Sequence, residues 1–375
     1  MNRFATRELS MLVALVAIWA FFALQEPVFL SARNLSLLSV ELAVTAVLAL
    51  GMLVVLLPGQ IDLSAGSGVG LAGAVAAVLV FWHDVPAPVA LLIAAIGAVL
   101  VWSAMGALIA IERIPAFIMT LGGLLVFRGL HWLVIENQTV PVVEGGSQNV
   151  YSLLTTYYLP EIAGYALAAL AVAAIVASAL NARKHRQSYG FPVDDAELTF
   201  LKLFVLAQFV FLVVIVTNGY RGVPIALVIL GLVAVLVHQL VTNTAFGRYL
   251  YAIGGNEEAA AVSGVPVSNT IIGAYAIMGG IVALTGFMQT AYSGASTSTV
   301  GSLMELDAVA ACVIGGTSLR GGRGTVLGVL FGALIMTSLL NGMTLMAVSP
   351  EAKYIARGAV LALAVWLDLR LGKGR

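Results

Sequence analysis

Apolar residues run through this chain in long blocks separated by short polar punctuation. A bilayer core needs about 20 apolar residues per helix. On that ruler about twelve segments qualify as crossings. They are approximately 9–30, 35–57, 66–82, 87–111, 115–135, 158–180, 199–219, 223–242, 270–292, 303–318, 325–346 and 353–371. The segment at 303–318 is short, as expected of a half-helix or re-entrant piece that must be buried by protein. The segment at 66–82 is short and glycine-rich. The pattern predicts one all-α polytopic membrane domain over residues 1–375. It has about ten to twelve transmembrane helices, some of them broken or re-entrant. The run Met11–Leu24 follows Arg3 and Arg7, as in a signal peptide. Gln25, Glu26 and Pro27 come next instead of a small-x-small cleavage site, so it reads as a retained first span.

Lysine and arginine placement orients the spans. With both termini cytoplasmic, Arg33, Arg128, Arg221, Lys353 and Arg357 fall outside or in the outer half, and the rest of the 18 fall inside. Two polar segments then lie in the cytoplasm, the insert 181–198 and the loop 243–269. One long polar loop, 137–157, lies outside, as a solvated connector or a surface that receives a partner.

Within the cytoplasmic loop, the stretch 243–266 carries the signals of a short helix. Asn256 is a good N-cap. Glu257 and Glu258 suit the positive end of the helix dipole. Ala259 and its neighbours propagate the turn. Gly264 fits the left-handed C′ position, with Pro266 as a stop. Gly254 and Gly255 read as a hinge before the cap. A plain connector needs no such helix, whereas docking to something outside the membrane would.

Composition sharpens this picture. Hydrophobic residues make up 61% of 375 and charged residues 10%, with mean hydropathy +1.04. A soluble domain carries about 25% charge. Zero formal net charge gives no basic face for nucleic acid. The single cysteine, Cys312, allows no intrachain disulfide, and the four histidines lack ligand spacing. No phosphate-binding G-x-x-x-x-G-K-[ST] loop occurs; the lone Gly372-Lys373 pair is followed by Gly374. No metal, cofactor or catalytic residue is expected, and an intramembrane enzyme finds no catalytic constellation.

Charges within spans are costly and usually paired or functional. Glu41, Arg128, Glu305 and Asp307 fall in the outer half. A structural ion pair between Arg128 and one of the acids is the leading reading, and direct contact with a polar solute is the other. Thr120, Ser338 and Asn341 are pathway candidates because they are polar within spans. Asp62, in an Ile-Asp-Leu-Ser turn, reads as a helix cap near the cytoplasmic face. A weak repeat at an offset of 256 aligns 59–71 with 315–327, pairing Gly59 with Gly315 and Leu63 with Leu319. No His/Asp/Glu relay is visible, which argues mildly against an ion-coupled secondary carrier of a small polar solute, the alternative reading.

The stretch NTAFGRYLYAIGGNEEAAAVSG resembles the cytoplasmic loop of ATP-binding-cassette importer permeases of the ribose/xylose/branched-chain amino acid superfamily. Glu258-Ala259-Ala260 followed by Gly264 echoes the EAA-x-x-x-G pattern of their coupling loops. GQIDLSAGS (59–67), IPAFIMTLGGLLVFRGL (114–130) and ELDAVAACVIGGTSLRGGRGTVLG (305–328) resemble the sugar branch, with Gln60 and Ala65 as departures. The insert 181–198 and the extra span beside it resemble xylose-type subunits. The resemblance implies a permease subunit of a sugar importer of the pentose/xylose type, in the bacterial plasma membrane. Its partners would be ATPase subunits inside, a sugar-binding protein outside and a second permease copy. It assigns ATPase coupling to Gly247, Arg248, Gly254, Gly255, Asn256, Glu257, Glu258, Ala259 and Gly264.

Overall fold

The computed structural model describes residues 3–372 apart from Glu144, Gly146 and Asp194. Lys373, Gly374 and Arg375 of the tail, and Asp194 of the polar insert, therefore lie outside the described residues. Each of the twelve apolar segments falls on a helix. In chain order these are α1 (Arg3–Gln25), α2 (Ala32–Leu56), α3 (Ala65–Phe81), α4 (Ala87–Ile111), α5 (Ala116–Val134), α6 (Val150–Thr156), α7 (Glu161–Ser188), α8 (Ala196–Asn218), α9 (Ile225–Asn243), α10 (Ala245–Gly255), α11 (Glu257–Val262), α12 (Val267–Ser293), α13 (Met304–Ile314), α14 (Val326–Leu345) and α15 (Pro350–Gly372). Of these, α6, α10 and α11 lie between the apolar segments.

Proline sets many of the starts. Pro86, Pro115, Pro160, Pro224 and Pro266 stand immediately before α4, α5, α7, α9 and α12. A proline there lacks only an N–H that the helix would not use, and its fixed φ disfavours helix in the residue before it. Pro27 likewise breaks the first apolar segment into α1 and a short 3-10 turn, Pro27–Leu30.

Among the described residues, eight helices are long and apolar enough to span a bilayer, and Met11–Gln25 and Ala65–Phe81 are shorter apolar helices. The chain is thus an all-α polytopic membrane protein. α2 is its central column, buried along most of its length and packed on α9, α12, α13 and α14. α12 is the second buried column, packed most extensively on α4 and also on α3 and α2. α7 and α8 form a hairpin at the periphery, mostly exposed, with a small core of their own at Ala168, Val214 and Val223. α7 continues to Ser188, so the first part of the polar insert is helical, and Arg183 donates from its Nη1 to Thr199 Oγ1 on α8 at 2.7 Å.

Two antiparallel ribbons tie down the face opposite α11. β1 (Val140–Pro141) pairs with β4 (Ala295–Ser296), and β2 (Tyr158–Leu159) pairs with β3 (Val223–Pro224). The 137–157 loop is not a plain solvated connector. Asn149 and Ser152 form a reciprocal capping box at the start of α6. Tyr151 is fully buried, and its hydroxyl donates to Gly73 O at 2.8 Å.

α3 starts inside the membrane layer. α2 ends at a left-handed Gly59, with Gly59 N bonded to Leu56 O and Gln60 N to Val55 O. The chain then climbs through 60–64 before α3 begins. Asp62 is fully buried. Its Oδ1 accepts from Ser64 N and Oγ, and its Oδ2 accepts from Trp102 Nε1 at 2.7 Å. Trp102 lies about 13 Å along α4 from its end at Ile111, at 1.5 Å per residue. Asp62 therefore does organise a helix start, but well within the bilayer and not at its edge.

α13 has 11 residues, about 16 Å, roughly half of a bilayer core. It is buried on nearly every side, as a half-helix in lipid must be. It ends as α2 does, with a left-handed Gly316, Gly316 N bonded to Val313 O and Thr317 N to Cys312 O. The structural counterpart of Gly59 is therefore Gly316, one residue on from the Gly315 that the sequence repeat pairs with it. The two post-helix segments lie side by side, with Gly322 N donating to Leu57 O at 2.9 Å.

Candidate coupling loop and membrane polar network

The 243–266 stretch folds into two helices. Thr244 caps α10, its hydroxyl accepting from Gly247 N at 3.1 Å. A Cβ at Gly247 would collide with the carbonyls of Leu240 and Val241, so glycine is needed for the tight turn out of α9. Asn256 caps α11, its side-chain oxygen accepting from Ala259 N at 2.9 Å. The helix closes in a complete Schellman motif. Gly264 has φ +83°, Gly264 N donates to Ala261 O, and Val265 N donates to Ala260 O. Glu257 and Glu258 occupy the first turn. Only Ala260 of α11 is buried; Glu257, Glu258 and Ala259 face outward, and Val262 is 91% exposed.

Two expectations for this loop change. Gly254 and Gly255 do not stand in a linker before the cap but are the last two residues of α10. Gly254 is a packing glycine: a Cβ there would collide with Leu57 O and Gly322 N. Gly255 has open space around it. Arg248 does not hold α11. It is exposed on α10, and among the described residues its side chain forms no hydrogen bond or ion pair. It is α10 that is gripped, by Tyr251, unremarked in the sequence, whose hydroxyl donates to Gly324 O at 2.8 Å. Burial pushes that phenol above the usual tyrosine range. α10 is therefore clamped to both post-helix segments: Gly254 sits against Leu57 and Gly321–Gly322, and Tyr251 sits on Gly324.

Farther along α2, Glu41 lies about 22 Å from Leu56. Its Oε1 accepts from the Tyr292 hydroxyl at 2.8 Å, and its Oε2 accepts from Asn341 Nδ2 at 3.3 Å. Asn341 Oδ1 in turn accepts from Asn34 Nδ2 at 3.0 Å, which also reaches Phe29 O. Glu41 and Asn341 thus come together. Tyr292 and Asn34, which complete the network, sit at helix ends where a polar residue gives no in-span signal. Ser338 accepts from Trp19 Nε1 at 3.0 Å. Thr120 donates to Ala116 O within α5 and reaches Ile61 O at 3.1 Å, so it supports the turn that carries Asp62.

The ion pair forms with a different arginine. Asp307 pairs with Arg357 Nε at 3.1 Å. Arg128 is exposed, its guanidinium 5.8 Å from the Trp132 ring centroid, and among the described residues it has no salt bridge. Glu305 is buried beside Gly66, where a Cβ would strike its carboxylate. Among the described residues no His, Cys, Asp and Glu cluster could hold a metal.

A permease family described as "branched-chain amino acid transport system / permease component" matches residues 34–365, which takes in α10, α11 and both post-helix segments. The chain belongs to this family. Similar to this permease is the xylose transport system permease protein of Escherichia coli (strain K12), 39% identical over 359 residues, covering 96% of this chain and 90% of that one. Its counterpart in Haemophilus influenzae is 39% identical over 361 residues, covering 96% and 95%. The ribose import permease protein of Escherichia coli (strain K12) is 32% identical over 366 residues, covering 96% and 93%. No solved structure matches the permease.

Proposed function

We propose that this chain is the membrane-spanning subunit of an ATP-driven sugar importer of the xylose type, coupled to a separate ATPase through α11. The observation that carries this is a capped six-residue helix whose outer surface is covered by none of the described residues. Holding Asn256, Gly264 and two first-turn acids in order for an unoccupied surface makes sense if another protein covers it. The likeness to xylose and ribose permeases supports a sugar as cargo.

α11 sits in a cleft of the ATPase on the cytoplasmic side, and a solute-binding protein delivers sugar to the opposite face. A second copy of the chain completes the pathway. ATP-driven closure moves α11, and α10 passes that movement to the ends of α2 and α13. Energy comes from the partner chain, and the permease orients and moves.

The test is purification of the tagged chain from its native membrane, followed by uptake of a panel of pentoses and hexoses in proteoliposomes. A co-purifying ATPase and ATP-dependent uptake of a pentose are expected. Transport on an ion gradient alone, with no ATPase present, would overturn the reading.

A further inference from the structure

Arg128 lies near the middle of the bilayer. The ring of its neighbour Phe127 is 4.9 Å from that of Trp102, centroid to centroid, which sets this turn of α5 at the level of Trp102. On α4, exposed apolar side chains continue from Val89 to Ile111. Trp102 is about 20 Å from the first and about 13 Å from the second, at 1.5 Å per residue. Both distances exceed the reach of an arginine side chain, so Arg128 cannot snorkel to either surface. Trp132, one turn farther out, is likewise too deep for an interfacial aromatic belt. The Arg128 guanidinium is exposed on its own chain, over the Trp132 ring, and among the described residues it has no hydrogen bond or ion pair. A charge at this depth is costly against lipid tails, and such residues face protein or a water-filled path.

The surface around it is polar. His131 turns inward, its Nε2 3.3 Å from Ser296 Oγ on β4, which leaves Arg128 and Trp132 on the outward side of α5. Trp132 Nε1 donates to Ser298 O at 3.4 Å. That contact brings in the loop before the half-helix α13, where Ser298, Thr299 and Ser302 are exposed. Gly129, between the arginine and the tryptophan, has open space where a Cβ would stand. A guanidinium is all donor and no acceptor, and with no carboxylate on it those donors are unspent. Unspent donors beside an indole ring match the two sides of a neutral sugar, O–H on one and C–H on the other. α2 and α12 fill the centre of the chain, so this surface stands at its edge, where a second copy can face it. Resting on the sugar-importer reading, we propose that the outward face of α5 lines the pathway between two copies of the chain, and that Arg128 and Trp132 contact a neutral monosaccharide halfway across the membrane.

The test uses the complete transporter in proteoliposomes, with D-xylose, D-ribose and D-galactose as probes. Arg128→Ala is expected to lower uptake of the transported sugar by more than about tenfold, the scale of hydrogen bonds to a charged group. Abundance and basal ATP hydrolysis stay at wild-type level, which a merely structural role would not allow. Trp132→Leu is expected to lower uptake about fivefold, and Trp132→Phe to keep it. Leu125→Cys, one turn from Arg128 on the same exposed face, reports the surroundings of α5. A charged, membrane-impermeant methanethiosulfonate is expected to modify it and block uptake, because a thiolate forms in a watery path and not in lipid; the native Cys312 is fully buried. If Arg128→Ala does not accumulate, the Trp132 pair and Leu125→Cys decide. Wild-type uptake by Arg128→Ala or by Trp132→Leu overturns the sugar contact, and an unreactive Leu125→Cys overturns the pathway face. A wild-type transporter that moves none of the three sugars overturns the importer reading, and the sugar contact with it.

Discussion

Single residues here decide where backbones meet. Gly254 packs against Leu57 and Gly321–Gly322 so closely that no side chain fits. Gly254→Ala is expected to push α10 off both segments, lowering uptake more than tenfold while leaving enough protein in the membrane to measure. Quantitative immunoblotting beside uptake checks this, and wild-type uptake would refute it. Asp62 makes the complementary case. Asp62→Ala strands the Trp102 indole N–H in a buried site, at a cost of about 1–3 kcal/mol. A lower melting temperature in detergent is expected, with Asp62→Asn closer to wild type. Asp307 and Arg357 show where charge counting fails. The sequence put four charges in one layer but had no way to choose Arg357 over Arg128, because the choice depends on which helix packs beside α13. α15 does, and its Arg357 is only 26% exposed, whereas Arg128 faces outward over Trp132. Arg357→Ala is therefore expected to lower abundance by leaving Asp307 unpaired, and Arg128→Ala to leave abundance unchanged. Equal losses in immunoblots of the two variants would count against this assignment.

Among elements, α11 was legible down to its caps because its signals are local. An N-cap, two acids, three alanines, a left-handed glycine and a proline act within one or two turns. α10 was not legible as a separate helix, since Gly254-Gly255 at its end reads as a break. Only contact with the distant Leu57 and Gly322 shows why glycine sits inside a helix. The same limit hid the depth of Asp62, which is set by Trp102 forty residues away. It also shifted the repeat register by one, because glycine-rich stretches align by composition while Gly59 and Gly316 match by conformation. α11 presents its acids to whatever covers it. Glu258→Lys reverses the charge at the positive end of the helix dipole and on the exposed face. It is expected to abolish uptake at unchanged abundance, since among the described residues the exposed Glu258 side chain makes no hydrogen bond or ion pair. Normal uptake by this variant would sink the coupling role of α11.

Across the whole molecule, rigidity is distributed unevenly. α2 and α12 are buried columns, while α7 and α8 lie at the edge with a small core of their own. The ends of α2 and α13 meet α10 on one face, and Glu41, Tyr292 and Asn341 knit α2, α12 and α14 near the other. If α11 is the coupling helix proposed above, a push on it reaches α2 and α13 through packed backbone. At its far end α13 is anchored by the Asp307–Arg357 pair to α15 and by close packing against α3 at Gly66 and Gly301. If α13 and α14 move as a unit against α2, a crosslink between the two post-helix segments must stop the cycle. A cysteine pair replacing Gly59 and Arg320, whose backbones are in contact, is expected to block uptake when bridged by a short bifunctional reagent and to recover when the bridge is cleaved. ATP hydrolysis by the partner should continue in the bridged state if the segments lie downstream of docking. Uptake that survives bridging would mean that the segments stay together throughout transport and that the movement passes elsewhere.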